Sequence, residues 1–251
     1  MLEPQKAEDH RTRVGAQRRE KTRNRLIETA LAVFAEKGPD APGIEDFIAA
    51  AGVARGTFYN YFRTTGELLS AIAGEISDEV LGVVDPLVRE VDDPPLRVAT
   101  GSRLYMRMAC RYPLWGAFIT RVGTKRGSRG RLLDVYLTRD IELAIAAQRF
   151  DVADVVVARD IALGSIMYGI ETMLQPDAPA DYAEQSMFAL MRAFGIGRKE
   201  AHAIANAPLP EAGAPKGVIF ERIDAMAAAQ AAAHHEDDEN DVEGEGATTE
   251  D

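Results

Sequence analysis

The sequence predicts an all-α protein: a small N-terminal unit of three helices, followed by a larger helical domain. Three observations predict it. Apolar residues recur at helical spacing through most of the chain. No stretch alternates convincingly at a period of two, and no internal repeat is present. Glycines and prolines fall between the periodic stretches, where helices must end.

Taken in order, residues 1–17 are polar and irregular and read as a flexible basic arm. A helical pattern starts near Arg18, with Leu26, Ile27, Ala30, Leu31 and Phe34 on one face, and Gly38-Pro39 ends it. Ile44, Phe47, Ile48 and Ala51 form a short second stripe that Gly52 breaks, and a third helix covers about Ala54 to Phe62. Thr64 or Thr65 can cap a fourth helix, whose face is Leu68, Leu69, Ile72, Ile76, Val80 and Val83, expected to run until Pro86. Further helices are expected from Pro94-Pro95 to Tyr112-Pro113, over Leu114–Val122, and over about 132–149, 152–174, 182–194 and 199–207. GTKRGSRG, from Gly123, is a basic Gly-rich loop. Residues 208–251 read as mostly disordered with an acidic end, apart from one expected helix near 218–233.

The charge is uneven. The net charge of −11 runs against nucleic-acid binding. Residues 234–251, however, hold nine Asp or Glu and no Lys or Arg; without them 29 basic residues face 31 acidic ones. Residues 11–25 hold seven Lys or Arg and one Glu. A solvating tail is the ordinary reading of the acidic end, and competition with DNA for the basic arm is the sharper one. No apolar run approaches the ~20 residues that span a bilayer, and the first residues lack the apolar stretch of a signal peptide. One cysteine, Cys110, permits no intrachain disulfide, which fits a cytoplasmic setting.

The most informative stretch is GIEDFIAAAGVARGTFYNYF, residues 43–62. Two short helices joined by a Gly-containing turn form a helix-turn-helix, whose second helix can enter a major groove. At 100° per residue, Ala54, Phe58, Tyr61 and Phe62 cluster toward the core, and Gly56, Tyr59 and Asn60 face away. Arg55 and Thr57 lie on opposite flanks. Arg55 can donate twice to guanine, and Asn60 can pair with adenine. Gly56 has no side chain to hold the backbone off a base edge. Thr57 and Tyr61 can hold a phosphate with their hydroxyls, and the arm at 11–25 supplies charge for the backbone alongside.

On these residues the resemblance is plain. RREKTRNRLIETALAVFAEKG, IEDFIAAAGVARGTFYNYF and ELLSAI, within residues 18–72, resemble the DNA-binding domain of the TetR family of transcriptional regulators. The resemblance implies a homodimeric repressor that binds a palindromic double-stranded operator and is released by a small, largely apolar effector. It implies base contacts from Arg55, Gly56, Tyr59 and Asn60, and phosphate contacts from Thr57 and Tyr61. Gly43, Thr65 and Arg23 complete the expected DNA-binding set. Two positions depart from the family pattern: Pro42-Gly43 replaces the usual Thr at the start of the second helix, and Thr65 replaces a frequent Lys at the start of the fourth. The domains are then 18–78 for DNA binding and 79–207 for effector binding and dimerisation.

The second half is less explicit. Tyr105, Met106, Trp115, Phe118, Met167 and Tyr168 are the candidate effector-binding residues, with Met108 and Met173 beside them, though core packing explains such residues as well. Arg103, Arg107 and Arg111 recur every fourth residue, either as a solvated face or facing an anionic ligand. Ala158, Ala162, Ser165, Ile166, Gly169 and Met173, with Ala183, Met187, Leu190 and Phe194, are read as the dimer seam that the resemblance implies, with internal core as the alternative. An enzyme is disfavoured. No HExxH or CxxC spacing exists, no nucleophile–base pair is evident, and GTKRGSRG is neither a P-loop nor a dinucleotide fingerprint. No catalytic residue, metal, cofactor or membrane is expected. A helical adaptor would not need Arg55, Thr57 and Tyr61 exposed together.

Overall fold

A computed structural model describes residues 4–37, 43–122 and 131–217, with 220, 221 and 225 beyond them. Ten helices and no strand occur among these residues: α1 (Pro4–Lys37), α2 (Ile44–Ala51), α3 (Arg55–Tyr59), α4 (Thr65–Arg89), α5 (Pro94–Arg111), α6 (Pro113–Val122), α7 (Arg131–Ala146), α8 (Val155–Met173), α9 (Tyr182–Ala193) and α10 (Arg198–Ala205). The all-α expectation therefore holds. Met1–Pro215 forms one compact unit, and Lys216–Asp251 is a second. The Gly-rich basic loop, the acidic tail and most of the expected 218–233 helix lie outside the described residues.

Local chemistry sets the ends of these helices. The Oγ1 of Thr64 accepts the Glu67 N–H at 3.1 Å and caps α4. Asp93 caps α5 through the Leu96 N–H, with Pro94-Pro95 in the first turn, where a missing N–H costs nothing. Asp154 caps α8 by accepting from Val156 and Val157 at 2.7 and 3.0 Å, so α8 starts three residues later than expected. Gly52 ends α2 in the left-handed conformation, φ +57°, which an L side chain rarely adopts. A Cβ there would also lie 2.7 Å from the Arg25 guanidinium.

Two helices are longer than expected. α1 begins at Pro4 rather than near Arg18, so residues 4–17 are helical and not an irregular arm. No apolar stripe marks that stretch, and Pro at N1 with good helix formers behind it carries the helix instead. α4 continues through Pro86 to Arg89. Pro86 and Gly82, the residue whose carbonyl it frees, both lie on the exposed side, where water can take the lost hydrogen bond. The third helix is shorter than expected: Ala54 is its exposed N-cap, and residues 60 and 61 form a turn.

α4 is central. It packs against α1 in the N-terminal unit and against α5, α6 and α7 in the rest. Leu68, Ile72, Ala73, Ile76, Val80 and Val84 on α4 are at most 1% exposed. Burying the Leu, Ile and Val side chains among them stabilises by about 1.5–3 kcal/mol each. A division between residues 78 and 79 would thus fall inside a continuous helix. Residues 208–217 are not helical, but the chain there is held: Arg111 Nη1 donates to the Ala212 carbonyl at 3.0 Å, and Pro215 is buried.

Candidate nucleic-acid interface and ligand cavity

The α2–Gly52–α3 unit turns its apolar residues inward. Phe47 and Phe58 are fully buried and Phe62 nearly so. The opposite face carries Arg55, Gly56, Tyr59 and Asn60, all exposed, Tyr59 at 48%. Thr57 and Tyr61 are half-buried on its flank. A Cβ on Gly56 would meet nothing within 4 Å, so protein packing does not require glycine there. Nη1 of Arg55 pairs with Glu45 at 2.7 Å, with both side chains more than 60% exposed. A hydrogen bond with Tyr59, and then the Glu45 charge, raise the Arg55 pKa. Such a pair is worth little in water and is readily exchanged for a better acceptor.

The remaining expected contacts are placed differently. Gly43 is the exposed N-cap of α2 and offers no side-chain cap; its N–H donates to Asp46 Oδ2 at 2.7 Å. Lys37 pairs with the other oxygen of that carboxylate at 2.5 Å. The Lys37 hydrogen bond, then the Gly43 N–H, hold Asp46 below its ordinary pKa. Thr65 is half-buried at the first position of α4, beside the cap itself. Arg23 is committed within the protein: it pairs with Glu75 at 2.5 Å and lies 5.9 Å over the Phe62 ring. That arginine ties α1 to α4 instead of standing clear of the surface. Arg13, Arg18, Arg19, Lys21 and Arg25 remain exposed along α1. Arg25 also reaches the Gly52 carbonyl at 3.4 Å, joining α1 to the turn.

The second candidate site is a partly open cavity of about 30 Å³ between α4, α5, α7 and α8. That is the room one water needs. Its walls include Leu81, Val84, Val88, Val98, Leu133, Leu137 and Ile166, and its polar groups are Asp85, Arg97, Ser102, Tyr136 and Asp140. Arg139, on α7, donates to Asp85 at 2.8 Å and to Asp140 at 2.9 Å, which raises its pKa. Arg97 donates to the Val91 and Arg89 carbonyls at 2.6 and 2.8 Å, closing the end of α4, and stands 4.0 Å from Asp140. The hydroxyl of Ser102 is buried without a hydrogen-bond partner. A buried polar group in that state costs about 1–3 kcal/mol.

None of the six candidate effector residues lines this cavity. Tyr105, Met106, Trp115 and Phe118 are at most 1% exposed and sit in solid packing. Tyr105 meets Trp115 edge-on at 5.2 Å and donates to Ser77 Oγ at 2.9 Å; burial pushes its phenol pKa up. Met167 is half-buried, and Tyr168 is 68% exposed. The arginine row splits: Arg107 and Arg111 are exposed, as a solvated face requires, whereas Arg103 is buried. Arg103 and Arg107 both hold Glu184 Oε1 at 2.6 Å, and Arg103, 4% exposed, also donates to the Ala207 carbonyl. Burial would raise the Glu184 pKa, but the two arginines outweigh it and hold the carboxyl below its ordinary range. The small residues read as a dimer seam are largely internal: Ala158, Ala162, Ile166, Ala183, Met187, Leu190 and Phe194 are all buried. The exposed side of α8 instead carries Val157, Ile161 and Tyr168, with an uncovered Gly164 between them.

The cavity residues that sequence reasoning missed had one visible signal. Asp85 and Asp140 each interrupt an apolar helix face, Leu81-Val84-Asp85-Val88 and Leu133-Leu137-Asp140-Ile141-Ala144. Among the described residues no cluster of metal-ligating side chains occurs, and no helix is long and apolar enough to cross a membrane.

Known proteins match both halves. Residues 26–72 match the family of bacterial regulatory proteins, tetR family, and residues 93–207 match the tetracyclin repressor-like C-terminal domain. The HTH-type transcriptional regulator YvdT of Bacillus subtilis (strain 168) is 39% identical over 57 residues, 23% of this chain and 29% of that protein. The HTH-type transcriptional repressor DhaR of Mycobacterium sp. (strain GP1) is 28% identical over 75 residues, 30% of this chain and 38% of that one. The chain thus matches about a third of the length of these relatives. The crystal structure of RolR with its ligand resorcinol is 32% identical, covers 79% of this chain and all of that one, and superposes with a TM-score of 0.68. RolR without ligand gives 30%, 76% of this chain and a TM-score of 0.67.

Proposed function

Because the chain belongs to the TetR family of transcriptional regulators, we propose that it is a homodimeric repressor released from a palindromic operator by a small, largely apolar effector. It is a DNA-binding regulator and not an enzyme. One observation carries the reading: α3 and the turn that ends it hold Arg55, Gly56, Tyr59 and Asn60 outward on a packed scaffold, and the glycine has no packing role. In the proposed complex these four read base edges, Thr57, Tyr61, Gly43 and Thr65 meet phosphates, and exposed cations of α1 neutralise the flanking backbone. Arg23 acts indirectly there, by fixing α1 against α4. The DNA-binding domain is 18–78 and the effector and dimerisation domain 79–207. The protein works in the cytoplasm, where its DNA is.

Dimerisation is supported by the stripe Val157, Ile161 and Tyr168 on α8, 58%, 48% and 68% exposed, with Gly164 leaving room for close approach. A two-fold dimer would set its third helices roughly 34–36 Å apart, in successive major grooves.

The effector site is the α4–α5–α7–α8 cavity. Apolar walls and a few inward polar groups suit a small ring bearing hydroxyls, the chemistry of the resorcinol in RolR. Tyr105, Met106, Trp115 and Phe118 then form the packed layer behind the site, with Met167 beside it. The cavity must widen to admit a ring, and the ligand favours the arrangement in which it is wide. α4, which lines the cavity and packs on α1, carries the change.

The test is selection of duplexes from a random library by the full chain, with Arg55→Ala/Tyr61→Phe in parallel. The expected result is an enriched palindrome bound weakly by the double variant. No enrichment at low salt by folded protein would overturn the reading.

A further inference from the structure

We propose that Phe118 is a positioning residue that couples the sensing half to the reading head directly through α1, in parallel with the route along α4. The inference rests on the regulator reading above. Its observations lie in a line of buried rings. Ser102 of α5 lines the cavity, and Tyr105 follows one turn later on the same helix. The Tyr105 hydroxyl is fixed on α4 by Ser77, and its ring stands edge-on to Trp115 of α6 at 5.2 Å and 82°. Phe118 follows Trp115 by three residues, so both project from one side of a short helix. Its ring, fully buried, meets Phe34 of α1 edge-on at 4.3 Å and 76°.

Two further contacts make this line stiff. A Cβ on Gly116 would fall 2.6 Å from the Ala109 carbonyl oxygen, so the backbone of α6 lies hard against α5. A displacement of α5 therefore displaces α6 with it, because close-packed surfaces do not compress. At the other end, Phe34 precedes by one turn Lys37, the last residue of α1, and Lys37 holds Asp46 in the first turn of α2. The push thus arrives where α1 meets the helix-turn-helix.

Continuity of contacts is not yet coupling. Linkage supplies the test: if α6 biases DNA binding, DNA binding must bias α6. Hydrogen exchange is measured on the full chain with and without a duplex enriched from the random library. In the wild type, the duplex is expected to slow exchange in α6 about threefold or more. In Phe118→Leu and Phe34→Leu, which approach the contact from its two sides, the α6 response is expected to vanish. The response of α4 and the duplex affinity should stay within about twofold of wild type. A merely structural role would loosen α6 equally with and without DNA, leaving the bound-to-free ratio unchanged. Wild-type α6 that ignores the duplex, or a full α6 response in both folded variants, overturns the proposal. Failure to enrich any duplex overturns the DNA-reading function first, and this inference with it.

Discussion

The reading head and the sensing half solve opposite problems with the same kind of helix. In the head, the polar residues that matter stand outward within one run of twenty, 43–62, and the apolar ones hold the scaffold. In the sensing half the relevant polar groups point inward and come from three helices between Asp85 and Asp140. An outward polar residue is solvated at rest and contributes little to stability. An inward one must be paired, and it ties function to folding. The head should therefore tolerate the loss of its functional side chains, and the sensing half should not.

The largest expected effect lies in the buried arginine cluster. Glu184→Ala leaves the buried Arg103 charge with no counter-ion and only the Ala207 carbonyl as a partner, and should lower unfolding free energy by about 3 kcal/mol in chemical denaturation. A loss under about 1 kcal/mol would erase the contrast with the head, because exposed pairs already lie in that range. Next comes Arg55→Ala, which should weaken operator binding by about 1–3 kcal/mol in a fixed-salt titration and leave the unfolding midpoint where it was. Gly56→Ala sharpens the same point. Open space surrounds that position, so the folded protein should gain up to about 1 kcal/mol from helix propensity and yet bind DNA less tightly.

Ser102→Ala inverts the usual sign for a buried polar residue. Its hydroxyl has no partner, so removing it should leave stability unchanged or raise it by about 1 kcal/mol. In the proposed effector site Ser102 supplies a hydroxyl, so the dose of a hydroxylated aromatic ring needed to release the operator should rise in the same variant, and an unchanged dose would remove Ser102 from that proposal. The smallest effect is on acid stability. The arginines hold Glu184 below its ordinary value of 4.5, so its contribution is complete above that value and is lost as pH falls through the lower folded-state pKa. Glu184→Gln should flatten this part of the stability curve. Asp46, held low by Lys37 and Gly43, titrates in the same sense but is only half-buried, in a solvent-screened pair, and Asp46→Asn should barely move it.

The same contrast explains what could be read from sequence. Helix count and order were legible because each helix has an apolar face and a capping or breaking residue near its ends. The α3 surface was legible because its residues are contiguous and their chemistry stands free of neighbours. The cavity was not, because its lining belongs to no single helix and becomes a set only when α4, α5, α7 and α8 pack. The bulky residues chosen for it, Tyr105, Trp115 and Phe118, are the ones that fill space most completely. For the same reason the sequence alone does not separate Ala162 and Met187, which are core, from a seam between chains. An apolar helix face predicts burial but does not name the covering surface. Arg103 could not be assigned without Glu184, which lies 81 residues away in sequence.

Pro86 has a mechanical consequence. It removes one bond from the ladder of α4 beside Asp85 and Val88, within the stretch that touches the cavity. A helix lacking that bond is most compliant there. α4 is then a rod of roughly 37 Å, soft at its cavity end and stiff from Thr65 to Gly82. Thermal bending concentrates in the soft segment, and the stiff arm passes on tilt alone. A tilt of roughly three degrees about the middle of such a rod shifts each end by about 1 Å.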